Sequence, residues 1–289
     1  MDGILIVDKP AGMTSHDVVF RVRKLLQEPR IGHTGTLDPM ATGVLVLCVG
    51  RATKLVPYLT DHDKRYEAEV CLGIETDTLD VDGTVLRQIP CPEIPESRID
   101  AVLERFLGNQ MQIPPNYSAI KVDGRKLYEY ARKNQVLPEI APRPVVVHSL
   151  RRSGPFRRNG GFGMFAFSLH CGKGFYVRSL VRDLGSALDL PATLSSLRRT
   201  AVGSFTIDEA VPLADLGPDA PLRDPFLALG MPRWTVPDEA RKQVINGAFL
   251  PKEWFSALEP TILCDSSGNP MAIYDYDERI GKMRLSVMW

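Results

Sequence analysis

The sequence predicts an α+β fold built on a largely antiparallel sheet flanked by helices, with a small β-rich unit at its C-terminal end. Three observations predict it. Strand-like runs with period-2 or continuous apolar character are mixed with amphipathic helical runs, without the regular strand–helix–strand order that builds a parallel sheet. The 289 residues are 44% hydrophobic and 24% charged, a balance that supplies a large core. After Phe205 the character changes, because Leu216-Gly217-Pro218 and Met231-Pro232 are linker chemistry, which divides the chain at 1–230 and 231–289.

The elements follow in order. Residues 4–7 form a short apolar strand, and Lys9-Pro10-Ala11-Gly12 is turn chemistry. Thr14 or Ser15 can cap a helix with Val18, Val19, Val22, Leu25 and Leu26 on one face. A loop at 32–43, rich in Gly and Thr, runs into the apolar stretch 44–49, which reads as a strand buried on both faces. Ala52, Leu55, Val56 and Leu59 mark a short amphipathic helix. Residues 65–72 alternate, with Tyr66, Ala68, Val70 and Leu72 on one face, as a half-buried strand does. An acidic turn at 77–83 follows, then a helix carrying Ile99, Val102, Leu103 and Phe106 and stopped by Gly108. Beyond Pro114-Pro115 we expect a helix around 126–133 and strands around 145–150 and 162–170. The tight loop 171–174 feeds a helix with Val177, Leu180, Val181, Leu184 and Leu188 inside.

Charge distribution says more than net charge, which is zero. Segment 117–158 carries ten Lys/Arg against three Asp/Glu, whereas 206–289 carries eight against thirteen. One electropositive face suits a polyanion, although a solvated surface that is merely basic reads the same. No run reaches the ~18 apolar residues of a membrane span. The acidic start and short apolar run do not make a secretory signal. Five scattered cysteines with no CxxC spacing argue against a disulfide framework or a metal knuckle and point to the reduced cytoplasm. The other histidines, His16, His62, His148 and His170, have no partner at ligand spacing, so no metal and no cofactor is expected.

Three segments hold residues suited to chemistry. In Gly32-His33-Thr34-Gly35-Thr36-Leu37-Asp38-Pro39-Met40-Ala41-Thr42-Gly43, one carboxylate sits among glycines and threonines between a helix and a buried strand. Such a loop lets backbone approach a ligand closely, and Pro39 keeps Asp38 out of helical geometry. Asp38 could equally be closing a turn. The lysine of a phosphate loop is missing. In Lys173-Gly174-Phe175-Tyr176-Val177-Arg178 a glycine turn opens a helix whose first turn offers a phenol and a guanidinium. Arg178 and Arg182 lie one turn apart, opposite the apolar face, and either pair a carboxylate or form an ordinary surface pair. Tyr66 fits a core tyrosine as well as an aromatic platform for a nucleobase.

Together these segments resemble the bacterial TruB family of tRNA pseudouridine synthases. Gly12-Met13-Thr14-Ser15-His16-Asp17, the Asp38 loop, Lys64-Arg65-Tyr66, Pro114-Pro115-Asn116-Tyr117-Ser118-Ala119-Ile120-Lys121, the Tyr176 segment and Leu197-Arg198-Arg199-Thr200 match family blocks in order. The resemblance implies the pseudouridine synthase fold and isomerisation of the T-loop uridine at tRNA position 55, without cofactor. It implies Asp38 as the catalytic carboxylate, Tyr66 stacking on the flipped base, and Tyr176 and Arg178 beside Asp38. Leu197 would pack near the base, His33 would sit at the RNA surface, and Lys9 would support the catalytic loop. The basic span 117–158, with Lys121, Lys126, Arg132 and Lys133, falls where the family carries an RNA-gripping thumb. The C-terminal unit corresponds to a small PUA-like domain, here short and acidic. The expected partner is the T-arm of tRNA, with no membrane, no obligate protein partner and a monomeric chain. Phe175 departs from the family pattern at a position commonly threonine. An RNA chaperone without catalysis and a carboxylate-dependent nucleosidase are the rival classes.

Overall fold

An eleven-stranded mixed sheet frames the molecule in the computed structural model, which describes residues 1–118, 120–122, 124–127, 130 and 138–289. The chain runs through β1 (Gly3–Lys9), α1 (Ser15–Leu26), β2 (Ile31–His33), β3 (Thr42–Val49), α2 (Val56–Thr60) and β4 (Lys64–Leu72). A hairpin of β5 (Ile74–Thr76) and β6 (Val85–Gln88) follows, then α3 (Glu96–Glu104) and β7 (Gly108–Gln112). The short pair β8 (Lys121–Val122) and β9 (Arg125–Lys126) precedes β10 (Arg143–Arg152), β11 (Arg157–Asn159) and β12 (Phe162–Cys171). Helix α4 (Val177–Ala187), β13 (Ala192–Val202), β14 (Phe205–Thr206) and β15 (Val211–Pro212) complete this part. A second, four-stranded sheet is made by β16 (Arg233–Thr235), β17 (Thr261–Cys264), β18 (Pro270–Asp277) and β19 (Lys282–Met288), with α5 (Asp238–Ile245) beside it.

The large sheet runs in the order β15-β1-β3-β13-β4-β12-β10-β7. Among the described residues of this sheet only the strand pairs β1/β15 and β3/β13 run parallel, so the expectation of a largely antiparallel sheet is met. Helices α1, α3 and α4 cover one face, placing Val18, Val22, Ile99, Leu180 and Leu184 over Leu45, Val70, Phe165 and Phe167. On the opposite face, Ile4, Ile6, Val44 and Val46 of β1 and β3 pack against Ile262, Ile273 and Val287 of the second sheet. This explains two sequence patterns at once. Strand β3 is apolar throughout because both its faces are buried, whereas β4 alternates because its outer face, with Arg65 and Glu67, is open to water.

Some expectations change. The 52–59 helix is a 3-10 turn over Gly50–Leu55 that continues as α2. Lys126 lies in β9, paired with Lys121 of β8, not in a helix. Leu127 and Tyr130 are helical as expected, and the remainder of the helix expected at 126–133, with Arg132 and Lys133, lies outside the described residues. Helix α3 ends at Glu104, and Gly108 (φ +80°) opens β7. Among the described residues no helix is long and apolar enough to cross a membrane.

Candidate active site

The loop between β2 and β3 is held from several sides. Thr14 caps α1 in a reciprocal box with Asp17, which places Ser15 at the first helical position. From there the buried Ser15 hydroxyl accepts from the Leu37 N–H (2.8 Å) and donates to its carbonyl (3.0 Å). Lys9, fully buried at the end of β1, donates to the carbonyls of Pro10 (3.0 Å), Met13 (2.6 Å) and Pro39 (3.3 Å). Burial brings the Lys9 ammonium down to about 8, although nearby Asp38 opposes that shift. Arg199, also buried, donates to Val44 (2.7 Å), Gly35 (3.0 Å) and Thr36 (3.3 Å) carbonyls. Gly43 (φ +101°) lies where a Cβ would come within 2.2 Å of the Arg199 carbonyl oxygen. The loop therefore crosses a strand that permits no side chain at that point.

Asp38 ends up between these ties with its side chain 31% exposed. Arg178 meets it with two bonds, Nη2 to Oδ1 at 3.0 Å and Nε to Oδ2 at 2.9 Å. This bidentate fork fixes the carboxylate's plane. The guanidinium is itself held by the Thr78 carbonyl (2.9 Å) and the Tyr117 carbonyl (3.0 Å). Its far side faces Asp80, with Nη1 to Oδ2 at 3.6 Å. Burial raises the Asp80 carboxyl above the ordinary carboxylate range, against the pull of the Thr78 hydroxyl and Arg178. Arg178 is only 5% exposed, which corrects its expected place opposite the apolar face. Its helix turns that side towards the 77–83 loop, whose carbonyl and carboxylate satisfy a guanidinium that no surface pair would need.

Tyr176 precedes α4, and its backbone is clasped by the buried Gln112 side chain, which accepts from its N–H (2.8 Å) and donates to its carbonyl (3.1 Å). Burial raises its phenol, with Arg143 and Arg178 opposing. Tyr66 is 8% exposed on the helix-covered face of β4, between Leu169 of β12 and Arg199 of β13 in register. Leu197 neighbours Ala68 on β13. It helps line an open groove of about 580 Å³ whose walls include Gly12, Met40, Thr42 and Val81. His33 lies at the loop's entry with its ring edge-on to His16 at 5.6 Å. Burial brings its imidazole down to about 4, helped by His16 and Arg199. Lys121 and Lys126 lie on the β8/β9 pair across from each other.

The structure thus brings Lys9, Asp38, Arg178, Tyr176, Tyr66 and Leu197 into one region, 188 residues of chain apart at the extremes. Sequence reasoning missed Asp80, Gln112, Ser15 as a loop clamp, and Arg199. Asp80 is visible in the sequence only as one acid in an acidic turn, and the guanidinium that gives it a purpose lies about 100 residues further along the chain. It also missed that His148 and His170, 22 residues apart, approach each other and Asp63, which corrects their expected isolation.

Comparison with known proteins identifies the family. Residues 23–177 match the TruB family pseudouridylate synthase N-terminal domain, and residues 178–220 match the tRNA pseudouridylate synthase B C-terminal domain. The chain is 41% identical over 288 residues to tRNA pseudouridine synthase B of Bacillus pumilus (strain SAFR-032), covering 95% of this chain and 93% of that protein. It is 40% identical over 289 residues to the protein of the same name from Bacillus subtilis (strain 168), with the same coverage. Among solved structures, a Cbf5-Nop10-Gar1 complex aligns with a TM-score of 0.72 at 25% identity, covering 99% of this chain and 84% of the other. With a family model spanning more than half its length and relatives this similar over nearly all of it, the chain belongs to the TruB family of pseudouridylate synthases.

Proposed function

We propose that the chain isomerises the T-loop uridine at position 55 of tRNA to pseudouridine, with Asp38 as the reacting carboxylate. The observation that carries this reading is the bidentate Asp38–Arg178 pair, whose carboxylate is partly exposed while its guanidinium is buried. A carboxylate held this way is fixed in orientation and keeps an exposed side for a ligand. Pseudouridine formation breaks the N1–C1′ bond and rejoins the same base through C5, so substrate and product are isomers. An ionised carboxylate serves each of three routes: addition to uracil C6, attack at C1′, or removal of the C2′ proton.

A uridine in a stacked loop must leave its stack to reach Asp38, at a cost of a few kcal/mol. In this reading Tyr66 receives the extruded base, Leu197 packs beside it, Tyr176 closes the other side, and His33 borders the RNA. Lys9 keeps the 38–39 turn in place through the Pro39 carbonyl. The basic span 117–158, with Lys121, Lys126, Arg132 and Lys133, supplies phosphate contacts that make binding steeply salt-dependent. The T-arm is recognised mainly by its folded shape.

The test is incubation with an unmodified tRNA transcript, followed by mapping of pseudouridine along the strand. Product at the T-loop uridine with wild type, none with Asp38→Asn, and tRNA affinity within a few-fold of wild type are expected. Product from Asp38→Asn would remove the carboxylate from the mechanism, and release of free uracil would make the reaction a hydrolysis.

A further inference from the structure

Away from the Asp38 region, three side chains with metal-binding donors meet at the ends of three adjacent strands. Asp63 immediately precedes β4, His170 is the penultimate residue of β12, and His148 lies in β10. These strands are neighbours in the order β4-β12-β10. The pairing of β10 with β12 is irregular between Val147 and Ser149, so an extra residue is accommodated there. Val147 and Leu150 both remain in the core at 2% and 3% exposed, while His148 is left facing outwards. A bulge that re-aims one side chain commonly marks a site. Here it brings the His148 ring to 4.7 Å from the His170 ring, between centroids.

The donor atoms have the spacing of a coordination shell. Asp63 Oδ2 lies 3.1 Å from His148 Nε2 and 3.5 Å from His170 Nε2. Zinc bound at about 2.0–2.1 Å in tetrahedral geometry separates its ligand atoms by about 3.3 Å, midway between those values. All three donors lie within 4.8 Å of one another, and the side chains are 38%, 46% and 30% exposed for His148, Asp63 and His170, so the rings can swing to close the remaining edge. Asp63 is anchored by its own backbone, whose carbonyl accepts from the Gly203 N–H at 2.8 Å. Two imidazoles and one carboxylate with an open fourth position suit zinc and its transition-metal neighbours, and do not suit magnesium, which prefers an all-oxygen octahedron.

We propose that Asp63, His148 and His170 form a binding site for one zinc-class divalent ion. The ion would be structural, fastening the ends of β4, β12 and β10. The same strands lead, within a few residues, to Tyr66 and to the Tyr176–Arg178 turn.

The experiment uses the full chain, stripped with chelator, titrated with Zn²⁺ by calorimetry and with Co²⁺ by visible absorption. One Zn²⁺ per chain is expected, with no heat from Mg²⁺ at the same concentration. His148→Ala, His170→Ala and Asp63→Asn should each weaken Zn²⁺ binding by at least about tenfold. The melting temperature of wild type should rise with Zn²⁺, and that of the variants should not. Absence of saturable binding, or binding that survives all three substitutions, would overturn the proposal, the second result placing the ion at another group such as the part-exposed Cys71. Should an alanine variant fail to fold, His148→Gln, which removes the imidazole from an exposed position, decides the matter by the same readouts.

Discussion

At the scale of single residues, the site depends on burying one side of an ion pair and leaving the other reachable. Arg178 is shared by Asp38 and Asp80, and two carbonyls complete its donors, so its position is over-determined before any substrate arrives. Tyr66 is less obvious, because a tyrosine 8% exposed serves a core equally well. Tyr66→Leu separates the roles. It keeps an apolar side chain but loses the ring and the hydroxyl, so stability should fall by no more than about 3 kcal/mol in a denaturant melt. Turnover on tRNA should fall at least about tenfold, the worth of one base–aromatic stack. A Leu variant that turns over normally would leave Tyr66 a packing residue only.

His33 yields a prediction with a definite sign. Its folded-state value of about 4 lies below the ordinary 6.5, so between those values the unfolded chain binds a proton that the folded chain refuses. The stability this histidine contributes is complete above pH 6.5 and is lost as the pH falls towards 4. Carboxylates begin to titrate at the low end of that window, so the quantity to measure is the melting temperature of wild type minus that of His33→Gln. This difference should shrink on acidification from pH 6.5 to pH 4.5. A difference independent of pH would show that the imidazole is not held neutral by its surroundings.

At the scale of elements, a short joint is the parallel contact between β3 and β13, where Arg198↔Thr42 and Arg199↔Gly43 pair. The Asp38 loop enters the sheet at that joint, and Arg199 reaches back from it to the Gly35 and Thr36 carbonyls. Gly43→Ala puts a methyl group 2.2 Å from the Arg199 carbonyl oxygen in a backbone conformation that alanine avoids. The joint must open, at a cost of at least about 1–3 kcal/mol from backbone strain alone. Melting temperature and turnover should drop together, and an alanine variant with wild-type activity would contradict the close approach. This part of the fold was only half legible. A glycine at the end of a Gly- and Thr-rich loop is visible in the sequence, but the strand pressed against it arrives more than 150 residues later.

At the scale of the whole molecule, the C-terminal sheet is packed as a second layer. Ile262, Ile273 and Val287 cover Ile4, Ile6, Val44 and Val46. Polar ties join the same layers, among them the Tyr58 hydroxyl to Asp275 (2.9 Å) and Ser286 (2.6 Å). Trp289 adds an edge-on contact with Phe226, at 4.7 Å between ring centroids. Truncation after Gly230 should therefore expose an apolar face of β1 and β3 and leave a chain that melts lower than the full one or aggregates. A truncated chain with an unchanged melting temperature would make the tail a tethered appendage.

Local elements and the class of fold are legible in the residues alone, because hydrophobic periodicity, caps and turn residues act over a few positions. The sequence also marks the Asp38 loop and the Tyr176–Arg178 turn, whose glycines and isolated charges are unusual within their own segments. Folding in three dimensions buries Arg178, lets Asp80 share it, sets Gln112 around Tyr176, and makes Asp63, His148 and His170 converge. Each of these is a contact between polar groups distant in the chain. Its energy depends on which groups lose water together, and that is set by how the layers stack, a quantity absent from any local stretch of residues.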